Sequence, residues 1–333
     1  MKIGILFGGN SLEHEISIIS AFQIKKKLES IYDICMIYID NESNIYDASK
    51  ATLNDFKYHN KRKFKKTTFA IGGLKGCKLD CMILSMHGEN GEDGLACALM
   101  RFYRIKYVGS DLFPSSLCIN KYLTYQYLSS NGIDMIDSYV YTYEDYLKGE
   151  NILEYPAIVK PLYGGSSIGI YVIKSEGEAR DALLKAFEAS KELLVQRYYD
   201  NIVEYNLAVD SIGESHLEKI VKKDDIFSFD NKYNESFKQM HQVISDEILY
   251  EDFKQIGRNI YTLIKAKGII RIDFFLIDGI IYVNEVNVLP GALAMYLYDN
   301  FEATIKKEIE LELIKNDKIY NRGNFLSKSN INK

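Results

Sequence analysis

Apolar residues in the first third of the chain fall in short continuous runs, separated by polar segments that contain glycine. Residues 2–7 (KIGILF) form such a run and predict a buried strand, which Gly8-Gly9 ends. Ile16, Ile19, Phe22 and Leu28 then recur at mostly helical spacing. Residues 31–39 predict a second strand, ending at Asp40. Residues 80–86 predict another, running into the segment from His87 to Gly94, and a helix follows before Tyr107-Val108-Gly109-Ser110. Strands and helices alternating at this spacing predict a parallel sheet in an α/β domain. Ligands collect beyond the strand C-termini of such sheets, where residues 8–15 and 87–94 lie.

A helix is expected over 114–131, carrying Lys121 and ending near Gly132. Beyond residue 139 the pattern changes. Strands are expected over 155–161 and 170–173, around a Gly/Ser loop at 162–169. Ser175-Glu176-Gly177-Glu178 fits a capping box for a helix over 179–190. Strands near 193–198 and 203–211 complete an antiparallel α+β unit. Residues 224–245 are polar and without period, as expected of a long functional loop. Residues 246–267 are amphipathic and Gly268 closes them. Strands over 269–277 and 280–287 are joined through Asp278-Gly279, a strong hairpin signal.

Length and charge narrow the function. At roughly 150 residues per domain, 333 residues suggest two or three domains. A net charge of −5 excludes a protein that coats nucleic acid or anionic membrane through a broad basic surface. The basic stretch 57–66 (KYHNKRKFKK) is expected to be a solvated loop. No run approaches the roughly 20 apolar residues of a membrane span, and the N-terminal run stops at Asn10 without a cleavage signal. A cytoplasmic protein is expected. Its five cysteines are odd in number and show no disulfide framework, so free buried thiols are expected.

Three constellations carry chemistry. The segment Lys160-Pro161-Leu162-Tyr163-Gly164-Gly165-Ser166-Ser167-Ile168-Gly169 can turn backbone N–H groups toward a phosphate, with Lys160 as a point charge. It lacks the Walker ending, and a plain hairpin loop uses the same residues. Arg271 with Asp273, and Glu285 with Asn287, each share a strand face by alternation. Two carboxylates and an amide oxygen suit Mg²⁺. The flanking runs are too apolar for a solvent-facing salt-bridge surface. A strict two-residue turn sets Asp273 opposite Asn284 and turns Glu285 away, so joint coordination requires a three-residue turn or a bulge between 276 and 284. Finally, Pro290-Gly291 ends the last strand, where the Gly291 N–H can face a developing oxyanion or simply serve a turn.

Five motifs occur in order: Gly8-Gly9-x-Ser11-x-Glu13-His14-Glu15-Ile16-Ser17, His87-Gly88-x-x-Gly91-Glu92-Asp93-Gly94, Lys160-Pro161 through Gly169, Arg271-Ile272-Asp273-Phe274, and Glu285-x-Asn287-x-x-Pro290-Gly291. Together they resemble the D-alanine–D-alanine ligases of the ATP-grasp superfamily, over nearly the whole chain. The resemblance implies a mixed α/β and α+β architecture, the ATP-grasp fold. Residues 1–110 would form a Rossmann-like substrate domain, 111–195 a central subdomain, and 196–333 a C-terminal subdomain with the metal and acceptor sites. It implies ATP, with two Mg²⁺ ions or Mn²⁺ in their place. One D-alanine becomes an acyl phosphate, and the amine of a second amino acid, most simply D-alanine, displaces the phosphate to make a peptidoglycan precursor. A homodimer is implied as well.

Carried over by position, Lys121, Lys160 and Lys232 serve ATP, and Asp273, Glu285 and Asn287 hold metal. Arg271 and the Gly291 N–H stabilise the tetrahedral intermediate. Glu13 takes the first substrate's ammonium, with His87 beside it. Tyr233 links to Glu13 and Ser166 as Lys232-Tyr233 closes over the site; a Tyr there goes with an amino-acid acceptor. Two departures stand out. Gln196 replaces the usual acidic residue at the adenine edge, with Glu204 left for the ribose. Tyr296, beside Leu297 in the acceptor pocket, replaces a Ser that receives the acceptor's carboxylate. A ligase with another acceptor, and a catalytically silent ATP-binding relative, are the competing readings.

Overall fold

The run Lys2–Gly8 forms strand β1, buried from Ile3 onward. The computed structural model describes residues 1–58, 61–150, 153–165, 168–220, 241–243 and 247–314. After β1 come α1 (His14–Leu28), β2 (Asp33–Ile39), β3 (Ile45–Asp47), α2 (Leu53–Lys57) and β4 (Lys65–Thr67). The short strands β5 (Phe69–Ala70), β6 (Gly73–Leu74) and β7 (Cys77–Lys78) form a small sheet. Then follow β8 (Cys81–Leu84), α3 (Leu95–Phe102) and β9 (Tyr107–Val108). The main sheet has the order β4-β3-β2-β1-β8-β9. Strands β2, β1, β8 and β9 are parallel, as their apolar runs predict, while β3 and β4 add antiparallel edges. The basic stretch is therefore not all loop: Lys65–Thr67 is edge strand β4, and Lys63 pairs with Asp55 at 3.0 Å.

Helix α1 buries Ile16, Ser17, Ile18, Ser20, Ala21, Ile24 and Leu28. The predicted stripe through Ile19 is displaced, and Ile19 is exposed. Two serines hold the buried face instead. Ser17 Oγ donates to the Ser85 carbonyl at 2.6 Å and accepts from the Gly8 N–H at 2.8 Å.

The central unit contains α4 (Leu112–Cys118), α5 (Lys121–Ser130), β10 (Ser138–Thr142), α6 (Tyr143–Lys148), β11 (Ala157–Pro161), β12 (Tyr171–Ile173), α7 (Glu176–Ala189) and β13 (Glu192–Arg197). Its antiparallel sheet has the order β10-β13-β11-β12 and runs to Arg197. The single helix expected over 114–131 is two. Asn120 leaves the helical region and its side chain accepts from the Leu123 N–H at 2.9 Å, starting α5 afresh. Helix α7 begins at Glu176, and the expected Ser175 box is absent. Glu178 instead accepts from the Lys174 N–H at 3.0 Å.

The last unit contains β14 (Val203–Val209), β15 (Glu218–Ile220), β16 (His241–Val243), α8 (Glu247–Leu263), β17 (Ile270–Ile277), β18 (Ile280–Asn287), a 3-10 segment Gly291–Leu297 and α9 (Phe301–Ile314). Its sheet order is β16-β15-β14-β17-β18. Phe301, Ile305 and Ile309 of α9 return to the core beneath β1, joined there by Leu293, Ala294 and Leu297. The N-terminal core is therefore completed by the C-terminal part of the chain. The five cysteines are free thiols, four of them buried and Cys77 half-buried. Among the described residues no helix is long and apolar enough to cross a membrane.

Gly8 turns the chain out of β1 at φ +94°, and a Cβ there would lie 2.1 Å from the Ile39 carbonyl oxygen. Gly8→Ala is expected to cost about 2 kcal/mol or more, read as a lower urea midpoint at unchanged m-value. An unchanged midpoint would show that the turn accommodates a side chain.

Candidate functional site

The hairpin β17–β18 sets the geometry. Asp278 and Gly279 have φ of 50° and 83°, and Ile277 pairs with Ile280, so the turn is the two-residue kind. The register then shifts. Phe274 pairs with Val283, yet Asp273 pairs with Glu285, leaving Asn284 as the extra residue of a bulge. The bulge that joint coordination requires is present, and the three-residue turn is not. Asp273 and Glu285 now stand opposite each other, as do Arg271 and Asn287. The row continues across the sheet, since Asn206 pairs with Asp273 and also with Glu218. Glu204, one pleat along β14, pairs with Phe275.

These residues line a cleft of about 2690 Å³ that also meets the loops after β1, β8 and β11. Lys160, Lys121 and Arg271 are the cations of its lining nearest the hairpin. Lys160 is buried on β11, and its Nζ donates to Asn284 Oδ1 at 3.1 Å, tying the central sheet to the bulge. Burial pulls the Lys160 ammonium down to about 8, against the pull of Glu285. Lys121 is the first residue of α5; it donates to the Gly164 carbonyl and lies 3.8 Å from Glu285. Arg271 makes a two-pronged ion pair with Asp273 at 2.6 and 2.8 Å, and Asn287 donates to the same carboxylate at 3.1 Å. Burial opposes the Arg271 charge, but Asp273, Tyr296 and Glu285 together outweigh it and hold the guanidinium protonated.

The loops after β1 and β8 meet above these strands. Asn10 N–H donates to Asn90 Oδ1 at 2.9 Å, and Ser11 Oγ to the His87 carbonyl at 2.7 Å. The Glu13 carboxylate fits against two glycines: a Cβ on Gly88 would come within 3.1 Å of it, and one on Gly165 within 3.4 Å. Glu13 thus bridges the N-terminal unit and the Gly/Ser loop. Glu92 accepts from the Gly88 N–H at 3.1 Å. Burial, then the charge of Glu13, push its carboxyl up to about 8. His87 lies in the cleft wall, but both its ring nitrogens are engaged by protein, the Leu289 carbonyl at 3.0 Å and Ser20 Oγ at 2.9 Å.

Gln196 is buried at the cleft edge and donates to Ser138 Oγ at 2.8 Å. Tyr296 lines the cleft beside Arg271 and is about half exposed to it, at 47%. Leu297, expected in the acceptor pocket, is buried in the core instead, because the turn before it directs it toward Phe301. Gly291 lines the cleft. Ser166, Lys232 and Tyr233 lie outside the described residues. Asn284, Glu92, Glu218 and Ser20 escaped the sequence reading. Glu92 stands inside a quoted motif, and Val283 and Val286, three apart in a period-two strand, signal the bulge at Asn284.

Residues 2–110 match the D-ala D-ala ligase N-terminus and residues 125–312 the D-ala D-ala ligase C-terminus. The chain belongs to the D-alanine–D-alanine ligase family. It is 38% identical over 324 residues to the D-alanine–D-alanine ligase of Campylobacter jejuni subsp. jejuni strain 81-176, covering 92% of this chain and 91% of that one. It is 33% identical to the enzyme of Helicobacter pylori strain Shi470 over the full length of both. The crystal structure of a Helicobacter pylori D-alanine–D-alanine ligase superposes with a TM-score of 0.79 at 32% identity, covering 93% of this chain and 99% of that one. The VanG D-Ala:D-Ser ligase of Enterococcus faecalis superposes at 0.76 with 26% identity, covering 94% and 98%. Members of this ligase family use ATP.

The donors at the hairpin fit a magnesium ion of the kind this chemistry calls for. They are hard oxygens, two carboxylates in register and an amide two residues along. Among the described residues no group of three His, Cys, Asp or Glu could hold a metal alone. That suits a cation that takes few protein ligands and completes its shell with phosphate oxygens and water.

The raised Glu92 carboxyl makes a pH prediction. A group whose folded pKa lies above its unfolded value near 4.5 adds stability that is complete below 4.5 and is lost as pH rises through about 8. Glu92→Gln is therefore expected to flatten the fall of thermal midpoint between pH 5 and 8. An identical midpoint–pH curve in both proteins would contradict the assignment.

Proposed function

We propose that this chain joins D-alanine to a second D-alanine at the expense of ATP, with Mg²⁺, for peptidoglycan synthesis. The observation that carries this reading is the bulged hairpin. It puts Asp273, Glu285 and Asn287 on one face beside Arg271, Lys121 and Lys160, across a cleft from Glu13.

Lys160 and Lys121 bind the phosphates, and Lys160, already desolvated, regains its full charge when an anion arrives. Asp273, Glu285 and Asn287 would hold Mg²⁺, which when bound cancels phosphate charge. Gln196 is fixed by its bond to Ser138, so its carbonyl oxygen is the group for the adenine amine; Glu204 serves the ribose. Glu13 takes the first D-alanine's ammonium. Glu92 beside it keeps its proton at neutral pH, so one carboxylate meets one ammonium. The substrate carboxylate oxygen attacks the γ-phosphorus and ADP leaves. The second amine then attacks the acyl carbon, loses a proton, and phosphate departs. Arg271 and the Gly291 N–H face the oxyanion formed in between. Ser166, Lys232 and Tyr233 are assigned to the same reaction by the family resemblance alone. The substrates place the reaction in the cytoplasm, and a homodimer is expected from the family resemblance.

Tyr296 favours one second reading, an acceptor other than D-alanine. Its phenol stands beside Arg271, where a bulkier or more polar acceptor group meets a hydroxyl.

Incubation with ATP, Mg²⁺ and panels of D- and L-amino acids, with phosphate release and product mass measured, decides between them. D-alanine alone is expected to give the D-alanyl dipeptide. Phosphate release only with D-alanine plus another amino acid selects the second reading. ATP binding without release for any pair refutes both. Glu285→Ala is expected to lower kcat by about 100-fold, with partial recovery at high Mg²⁺; near-normal kcat would remove Glu285 from the metal set. Tyr296→Ser is expected to change the ratio of kcat/KM between D-alanine and D-serine acceptors while leaving the KM for ATP in place. An unchanged ratio would exclude Tyr296 as a specificity residue.

A further inference from the structure

Ala292, Leu293 and Ala294 follow one another at φ of 47°, 53° and 51°. Each such residue costs roughly 1–2 kcal/mol, so this left-handed path persists only where its surroundings impose it. The path starts at Pro290-Gly291, the turn whose N–H is assigned above to the oxyanion.

Two buried side chains of the N-terminal unit grip this turn. His87 Nδ1 is 3.0 Å from the Leu289 carbonyl, which can only accept, so Nδ1 carries the hydrogen. His87 Nε2 is 2.9 Å from Ser20 Oγ, and Ser20 Oγ accepts from the Ala292 N–H at 3.1 Å. Burial pulls the imidazole down to about 4, so it is neutral and Nε2 has a lone pair to offer. Every hydrogen then has one place. The Ala292 N–H donates to Ser20, the Ser20 hydroxyl to His87, and the His87 Nδ1–H to Leu289. The chain of bonds closes on residues 289 and 292, one on each side of Gly291. Ser20 is 2% exposed and His87 4%, so neither group has water in reserve.

Packing alone does not do this work. Leu289, Leu293 and Ala294 are buried, which fixes where the turn lies. Directional bonds fix the rotation of its peptide planes, and that rotation aims the Gly291 N–H. We propose that Ser20 is a positioning residue for the ligation step. Through His87 and the Ala292 N–H it holds the Gly291 peptide in the orientation that meets the oxyanion. The assignment rests on the ligase reading above.

Ser20→Ala removes the hydroxyl and leaves His87 Nε2 and the Ala292 N–H unpaired. Its kcat with D-alanine is expected to fall about 100-fold, the cost of a small misplacement at a reacting centre, with the KM for ATP within about twofold of wild type. Ser20→Thr keeps the hydroxyl and is expected to recover most of the rate. In ¹⁵N-histidine NMR, wild-type His87 is expected as the neutral Nδ1–H tautomer. Three results overturn the assignment: a Ser20→Ala kcat within about threefold of wild type, a KM for ATP that rises in step with the loss of kcat, or an Nε2–H tautomer. Should Ser20→Ala fail to fold, Ser20→Thr and Ser20→Cys carry the test. A rate kept by the hydroxyl and lost with the weakly donating thiol supports the assignment, and equal rates overturn it. A wild-type protein that releases no phosphate with D-alanine alone or with any acceptor pair overturns the ligase reading and this assignment together. An active wild type with an unaffected Ser20→Ala overturns this assignment alone.

Discussion

Asn284 has no partner on β17, and the site depends on that extra residue. A strand's side chains alternate with period two, so inserting one residue exchanges its faces from that point on. Before the bulge Val283 faces the core with Phe274; after it Val286 and Val288 do so with Ile272 and Ile270. Without the shift, burying the valines beyond residue 284 and facing Glu285 toward Asp273 are incompatible demands. With it, hydrophobic burial on one face puts both carboxylates on the other. Lys160 then bonds the bulge residue itself, so the central sheet is registered to β17 and β18 by the same irregularity that orders them.

A second constraint acts at the other side of the cleft. Helix α1 buries two serines, Ser17 and Ser20, among Ile16, Ile18, Ile24 and Leu28. Ser17 stitches the helix to the ends of β1 and β8, and Ser20 stitches it through His87 to residues 289 and 292. Buried hydroxyls are costly unless satisfied, and Ser20 gains the bond from the Ala292 N–H only when the C-terminal turn is seated against the N-terminal unit. The Ser20 hydrogen bonds therefore report correct assembly of the cleft, which packing of Phe301 and Ile305 beneath β1 does not by itself specify.

These two constraints also mark how far the sequence could be read. The strand runs, the Asp278-Gly279 turn and the need for a bulge were all legible, because period and turn chemistry are local properties. The break at Asn120 was missed, since one capping residue inside an apolar-periodic stretch looks like a helix surface position. The left-handed run through Ala292, Leu293 and Ala294 has no local signal at all, because none of those residue types favours positive φ. Leu297 was assigned to the pocket by position and turned inward for the same reason. Ser20 was invisible because periodicity counts apolar residues, and the face that matters most here is polar. Glu92 was in plain view, but its retained proton comes from burial beside Glu13, a relation between distant segments.

The acidic balance of the chain takes its meaning from the same cleft. Among the described residues lining it, carboxylates outnumber cations, and its central cations are already engaged: Arg271 with Asp273, Lys121 with Glu285, Lys160 with Asn284. Such a cleft has no excess positive field with which to attract a bare polyanion. It suits a nucleotide whose charge is partly cancelled before it arrives, while Asp273 and Glu285 balance Arg271 and Lys121. The pairing holds each cation in place, where a loose lysine or arginine would have to be ordered on binding at an entropic cost. Net acidity and anion binding are thus compatible because the positive charge is placed by its acidic partners rather than accumulated.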